Sequence, residues 1–257
     1  MFDAIIWGLI QGLTEFLPIS SSGHLVLVPA LLAEAGIDIG EPSLTVSAVL
    51  HLGTLLAVVI FYRSDLVRLT HVRRDPQARR TLGVLALGTI PAVIGLPLRS
   101  GLESIEQNPP VVAGALIVTG LVLVVAERLP RGTRDLEAAR ASDAILVGVA
   151  QAFALIPGIS RSGSTITMAT ARGFDRVEAA RFSFLLAIPT IAGGGLLSLL
   201  ELDGGDGSAG AIFLGFVVAA ISGYAAIAVL LRLITTRGFL PFAAYCFIVG
   251  ALALIVL

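Results

Sequence analysis

Six stretches of this chain stay apolar for eighteen residues or more, near 44–62, 81–98, 110–127, 180–200, 210–232 and 239–257. A helix needs about 20 residues to cross a hydrocarbon layer of roughly 30 Å. In lipid every backbone N–H and C=O must be satisfied inside the segment, so such runs fold as helices rather than as open sheet. Hydrophobic residues make up 56% of the chain and charged residues 14%, whereas soluble domains carry about a quarter charged residues. So few charges cannot cover a globular surface. The expected fold is therefore an all-α polytopic membrane protein, a single membrane domain over residues 1–257 in contact with lipid. The net charge of −1 leaves no basic stripe for nucleic acid. Cys246 stands alone in the last apolar run, so neither a disulfide nor a thiolate metal site can be built. The first residues lack a basic n-region and an A-x-A site, and they are not read as a cleaved signal peptide.

Two further apolar stretches, 2–30 and 143–172, are interrupted. Each opens with about ten helical residues, half a spanning length, and then breaks at Pro, Ser and Gly: LPISSSGHL after Glu15, and IPGISRSGST after Leu155. Short helix, polar turn and short helix describe a re-entrant hairpin, tolerated at membrane depth only where it is buried or lines a wet cavity. A shift of 140 positions superimposes the two: Asp3-Ala4-Ile5 on Asp143-Ala144-Ile145, Gly8 on Gly148, Gln11 on Gln151, Ile19-Ser20 on Ile159-Ser160, and Ser22-Gly23 on Ser162-Gly163. The chain thus reads as two repeats, 1–127 and 143–257, each one hairpin plus three spans. Three is odd, so the second repeat is expected upside down relative to the first. Loop charges agree. Placing 63–80, 128–142, 172–181 and 232–238 inside puts fifteen of the seventeen Arg there, while the opposite loops hold only Arg99 beside eight acids. The arginine-rich loops, with Arg172, Arg176 and Arg181, are read as a topology signal and as lipid-headgroup contacts.

Inverted hairpins entering from opposite faces bring their tips together near the midplane. The first tip supplies Gln11, Glu15, Ser20, Ser21, Ser22 and His24; the second supplies Ser160, Arg161, Ser162, Ser164 and Thr165. Gln11 and Glu15 are four apart and share a helix face. An ionised side chain at bilayer depth costs ~2.5–3.5 kcal/mol on the insertion scale. Glu15 and Arg161 can repay that as a structural ion pair, or as a site in which Arg161 holds a phosphate and Glu15 takes a metal or a proton. The surrounding hydroxyls and histidine favour the second. Close backbone approach alone accounts for Ser22 or Ser164. Ser20 and Ser21 lie beside Pro18 and His24, where one hydroxyl can be activated as a nucleophile. His24 either caps a turn or does acid–base work. His51, inside the first full span, either faces the site or bonds a neighbouring helix.

These motifs resemble the BacA-type undecaprenyl-diphosphate phosphatases, which also confer bacitracin resistance. QGLTEFLPISSSGHL at 11–25 is similar to that family's Glu/Gln-x-x-x-Glu element running into Pro-x-Ser-Ser-x-Gly-His. PGISRSGST at 157–165 is similar to its Pro-Gly-x-Ser-Arg-Ser-Gly-x-Thr segment. The resemblance implies six transmembrane helices and two re-entrant helical hairpins in an inverted-topology repeat. It implies a polyprenyl diphosphate substrate hydrolysed to the monophosphate, recycling a lipid carrier for cell-envelope glycan synthesis. It also implies a plasma-membrane location with the site opening toward the outer face, and Mg²⁺ or Ca²⁺ as cofactor. By position, Gln11 and Glu15 correspond to the metal and catalytic element, Ser21 to the nucleophile and His24 to the catalytic histidine. Arg161 corresponds to the diphosphate-binding arginine, with Ser20, Ser22, Ser160, Ser162 and Thr165 as further substrate contacts. Two positions depart from the pattern: Gln11 where many members carry Glu, and His51 where a Gln is expected. Small-residue faces suit a homodimer. The rival reading is a lipid flippase or anion transporter using the same inverted-repeat site, which would need no Glu15, Ser21 and His24 set beside its hydroxyls.

Overall fold

The computed structural model describes residues 2–257 except 38, 41 and 201–207, so Asp38, Glu41, Glu201, Asp203 and Asp206 of the charge argument lie outside the described residues. The described residues form twelve α-helices and no strand: α1 (Phe2–Phe16), α2 (Ser21–Glu34), α3 (Leu44–Phe61), α4 (Arg63–Thr70), α5 (Pro76–Gly95), α6 (Arg99–Glu106), α7 (Pro109–Arg128), α8 (Ala141–Phe153), α9 (Arg161–Ala171), α10 (Arg176–Leu200), α11 (Ala209–Thr236) and α12 (Leu240–Val256). Four are long and apolar enough to cross a membrane: α3, α7, the 176–195 part of α10, and α11. α12 is as apolar but only 17 residues long, roughly 26 Å at 1.5 Å per residue. α5 has 20 residues but carries Arg79 and Arg80 in its first turns. The molecule is a multi-pass membrane protein.

Local chemistry sets the helix ends. Asp75 accepts from the Gln77 N–H at 2.8 Å ahead of Pro76, and Asn108 accepts from the Val111 N–H at 3.3 Å ahead of Pro109. A side-chain cap satisfies an orphan donor, and a proline in the first turn loses no intrahelical bond. α4 and α6, eight residues each, extend the ends of α3 and α5. They are too short and polar to register in a search for apolar runs.

Interrupted stretches and full spans interlock between the halves. α1 lies on α11, α8 lies on α5, and α7 lies on α12. Glycines permit the first two crossings. A Cβ at Gly8 would sit 2.7 Å from the Gly215 carbonyl oxygen, and one at Gly148 would collide with that of Gly88. Phe16 at the end of α1 meets Phe184 of α10 edge to face, with centroids 5.4 Å apart.

Five of the loop arginines, Arg172, Arg176 and Arg181 among them, are clamped to acids. Arg181 bonds Asp65, Glu137 and Glu178, the last at 3.0 Å, and Arg68 also bonds Glu137. Arg172 and Arg134 grip the fully buried Asp143 at 2.8 and 2.6 Å, and Arg176 holds Glu127 at 2.9 Å. The arginine count does not reveal this, because the five acids that pair with them lie in or beside the same loops. Burial pushes the Glu137 carboxyl up, but hydrogen bonds from Arg181 and Arg68 outweigh it and hold its pKa at about 2.

Candidate active site

Both interrupted stretches end in the same local device. At the first tip the chain turns after α1, and Ser20 accepts the Gly23 N–H at 3.3 Å to start α2. At the second, Ser160 accepts the Gly163 N–H at 3.1 Å to start α9. Each cap also meets the hydroxyl two residues on: Ser20 to Ser22 at 3.3 Å and Ser160 to Ser162 at 3.2 Å. The tips touch directly, since Ser162 Oγ donates to the Leu17 carbonyl at 3.2 Å. Ser20 is held at φ 70, the one non-glycine residue with positive φ among the described residues. Strain of that kind collects where a backbone is constrained by function.

At the junction Arg161 Nη2 donates to Glu15 Oε1 at 2.8 Å. Ser21 Oγ donates to Glu15 Oε2 at 2.6 Å, and Gln11 Nε2 donates to the same oxygen at 3.0 Å. Glu15 is thus oriented by three residues from two hairpins while only 8% exposed. A cavity of about 150 Å³ lies against it, lined by Glu15, Ser20, Ser21, Ser22, Ser160, His51 and Arg161 among others. The N-termini of α2 and α9 both open here. The first N–H groups of a helix have no intrahelical acceptor and carry the positive end of its dipole. Hydroxyls, a guanidinium and two helix N-termini together make a seat for an anion such as phosphate.

Not every residue expected at the site reaches this cavity. Thr165 Oγ1 lies 2.6 Å from Ser183 Oγ and 2.8 Å from the Arg161 carbonyl, tying α9 to α10. Ser162 joins the tips. His24 is 4% exposed and spends both ring nitrogens elsewhere. Its Nδ1–H donates to the Ser20 carbonyl at 2.7 Å and Nε2 accepts from the Tyr245 hydroxyl at 2.8 Å. His24 therefore buttresses the strained Ser20 backbone from behind. The histidine that lines the cavity is His51, whose Nδ1–H donates to the Ser47 carbonyl at 2.8 Å.

Three supporting residues escaped sequence reasoning. Thr119 Oγ1 accepts from the Ser160 N–H at 3.0 Å and donates to the Gly158 carbonyl at 2.9 Å, holding the second tip. Ser183 and Tyr245 complete the ties to Thr165 and His24. Their only signal was a hydroxyl inside an apolar run, the lone one in the runs of Thr119 and Tyr245.

Among the described residues no three of His, Cys, Asp or Glu cluster as a metal cage. Gln11 Oε1, however, is buried beside Glu15 without a partner. One carboxylate with one free amide oxygen fits a hard cation that brings its remaining oxygens from phosphate and water.

A second cavity, of about 330 Å³, adjoins the first and shares His51, Ala154 and Arg161 with it. Its walls are mostly apolar, from α3, α5, α8 and α10.

The family model described as bacitracin resistance protein BacA matches residues 4–252 of the chain. A protein of Gloeobacter violaceus named undecaprenyl-diphosphatase is 46% identical, the match covering 99% of this chain and 91% of that protein. One of the same name from Nocardioides sp. is 40% identical, covering 98% and 95% respectively. One from Methanosphaera stadtmanae, also so named, is 38% identical, covering 99% and 97%.

Proposed function

The chain belongs to the bacitracin resistance protein BacA family, and from that premise we infer that it is a membrane-embedded undecaprenyl-diphosphatase. It hydrolyses a polyprenyl diphosphate to the monophosphate and phosphate. The observation that carries the chemistry is the Ser21–Glu15–Arg161 chain of hydrogen bonds across the two tips.

The terminal phosphate enters the smaller cavity, among the serine hydroxyls and the free N–H groups that open α2 and α9. Ser21 Oγ already donates to Glu15, so Glu15 takes the proton as Oγ attacks phosphorus. The bond from that phosphorus to the bridging oxygen breaks, and the lipid monophosphate leaves with the electron pair. The departing lipid phosphate takes the serine proton from Glu15. Water then attacks the seryl phosphorus and gives its proton to Glu15, the Oγ–P bond breaks, and Glu15 returns the proton to Ser21 Oγ as phosphate leaves. Phosphoryl transfer needs charge stabilisation more than covalent chemistry; the two helix ends supply it to the equatorial oxygens and Arg161 supplies it to the diphosphate. Gln11 and Glu15 are the residues that would hold Mg²⁺ or Ca²⁺, which when bound neutralises diphosphate charge. His24, Ser162 and Thr165 serve as positioning residues in this reading.

The same reading takes 1–127 and 143–257 as an inverted repeat, supported by the paired Ser20 and Ser160 caps and the paired Gly8 and Gly148 crossings. It puts the site toward the outer face of the plasma membrane. In support, the larger cavity is flanked by Leu44 and Leu96, at the ends of α3 and α5 remote from the arginine-rich loops. Homodimerisation through small-residue faces belongs to it as well, and light scattering of the detergent-solubilised protein tests that.

The function is tested by phosphate release from undecaprenyl diphosphate in detergent micelles, with Mg²⁺ or Ca²⁺ and after chelation. Release that depends on the cation is expected. Diphosphate binding without release would contradict the phosphatase and favour a carrier.

A further inference from the structure

Gln151 is the repeat partner of Gln11, yet the two amides stand in different company. Gln11 has Glu15 one turn on, whereas the corresponding position in the second hairpin is Leu155. Gln151 is 3% exposed, and neither its Nε2 nor its Oε1 has a hydrogen-bond partner. Buried polar groups are nearly always paired, so an amide orphaned at both atoms asks what completes it. It lines the larger, mostly apolar cavity. So does Arg161, whose Nη1 is buried and unpartnered while its Nη2 is engaged with Glu15. Two side chains with a buried, unpartnered donor thus line one mostly apolar cavity, and Arg161 also lines the smaller one.

A polyprenyl diphosphate presents a terminal phosphate, a lipid-proximal phosphate and an apolar chain in that order. The molecule offers matching surroundings: the serine-lined cavity, then Arg161, which lines both cavities, then the larger cavity, whose mostly apolar wall includes Gln151. We propose that Gln151 Nε2, together with Arg161 Nη1, seats the lipid-proximal phosphate and so directs the terminal phosphate into the smaller cavity. This rests on the phosphatase reading above and assigns Gln151 as a positioning residue for its leaving group. The amide oxygen is left to accept from Arg161 or from water.

The test separates the two phosphates by ligand. Polyprenyl monophosphate keeps the proximal phosphate and chain, whereas inorganic phosphate mimics only the terminal group. Binding of each to wild type and to Gln151→Leu is read as a ligand-induced shift of thermal unfolding in micelles, which does not depend on turnover. Gln151→Met is run in parallel as a second variant. Monophosphate affinity is expected to fall about ten- to a hundredfold, the scale of a hydrogen bond to a charged group, with inorganic phosphate affinity changed less than about threefold. An equal loss for both ligands, or no loss for the monophosphate, overturns the assignment. So does failure of both variants to fold, because an amide that serves only a ligand is dispensable to the fold. A wild type that binds both ligands but releases no phosphate would strike the phosphatase reading alone.

Discussion

Arg161 has one guanidinium nitrogen on Glu15 and the other buried without a partner, available in the proposal to the lipid-proximal phosphate. A lysine keeps the charge but cannot serve both, since an ammonium lacks the planar fork. Arg161→Lys is therefore expected to lower kcat/KM by about 10²-fold, the cost of losing one transition-state donor. Steady-state phosphate release measures it, and near wild-type activity would contradict the split role. His24 leads to a different expectation. Tyr245→Phe removes only the bond to Nε2 and is expected to cost about 1 kcal/mol of stability with activity largely kept. Thermal unfolding beside the same assay checks both halves, and lost activity at unchanged stability would instead put His24 in the chemistry. Glu15, Ser21 and Arg161 were legible as a cluster because charges and hydroxyls at bilayer depth stand out against apolar runs. The facing of His24 and His51 was not, because sequence spacing does not say which side of a turn a ring takes. That depended on Tyr245, 221 positions away.

At the scale of elements, the hairpins stand where they do because glycines let backbone approach backbone. Gly148→Ala would force a methyl against the Gly88 carbonyl, and overpacking of this kind typically costs about 1–3 kcal/mol. A lowered unfolding temperature with weakened activity is expected, and an unchanged one would mean α8 and α5 do not cross there. The loop clamps make a separate, pH-dependent contribution. Glu137 titrates at about 2 in the folded protein against an ordinary 4.5. A depressed carboxylate stabilises fully above its unfolded pKa and loses that stabilisation as pH falls through the folded one. The unfolding temperature of wild type should therefore fall more steeply between about pH 4.5 and 2 than that of Glu137→Gln. Parallel curves would contradict the clamp. Apolar length made the long helices legible. It was blind to α4, α6 and the ion pairs, whose partners meet only after folding.

For the whole molecule, the apolar excess and the 140-residue offset pointed to helical membrane architecture with paired interruptions. The packing of α1 on α11 and α8 on α5 is a pairing between halves that no local pattern encodes. Its consequence is that neither half owns the site: Glu15 and Ser21 come from one hairpin and Arg161 from the other. The measurement that bears most directly on this is the turnover of undecaprenyl diphosphate by Ser21→Ala and Arg161→Ala, against a Thr235→Val control at an exposed threonine that bonds only its own helix, with thermal unfolding confirming the fold of each. Loss of about 10²-fold or more in both site variants, one from each hairpin, with the control much less affected, is the predicted result. Full turnover in either folded site variant would contradict a catalytic centre built where the two tips meet.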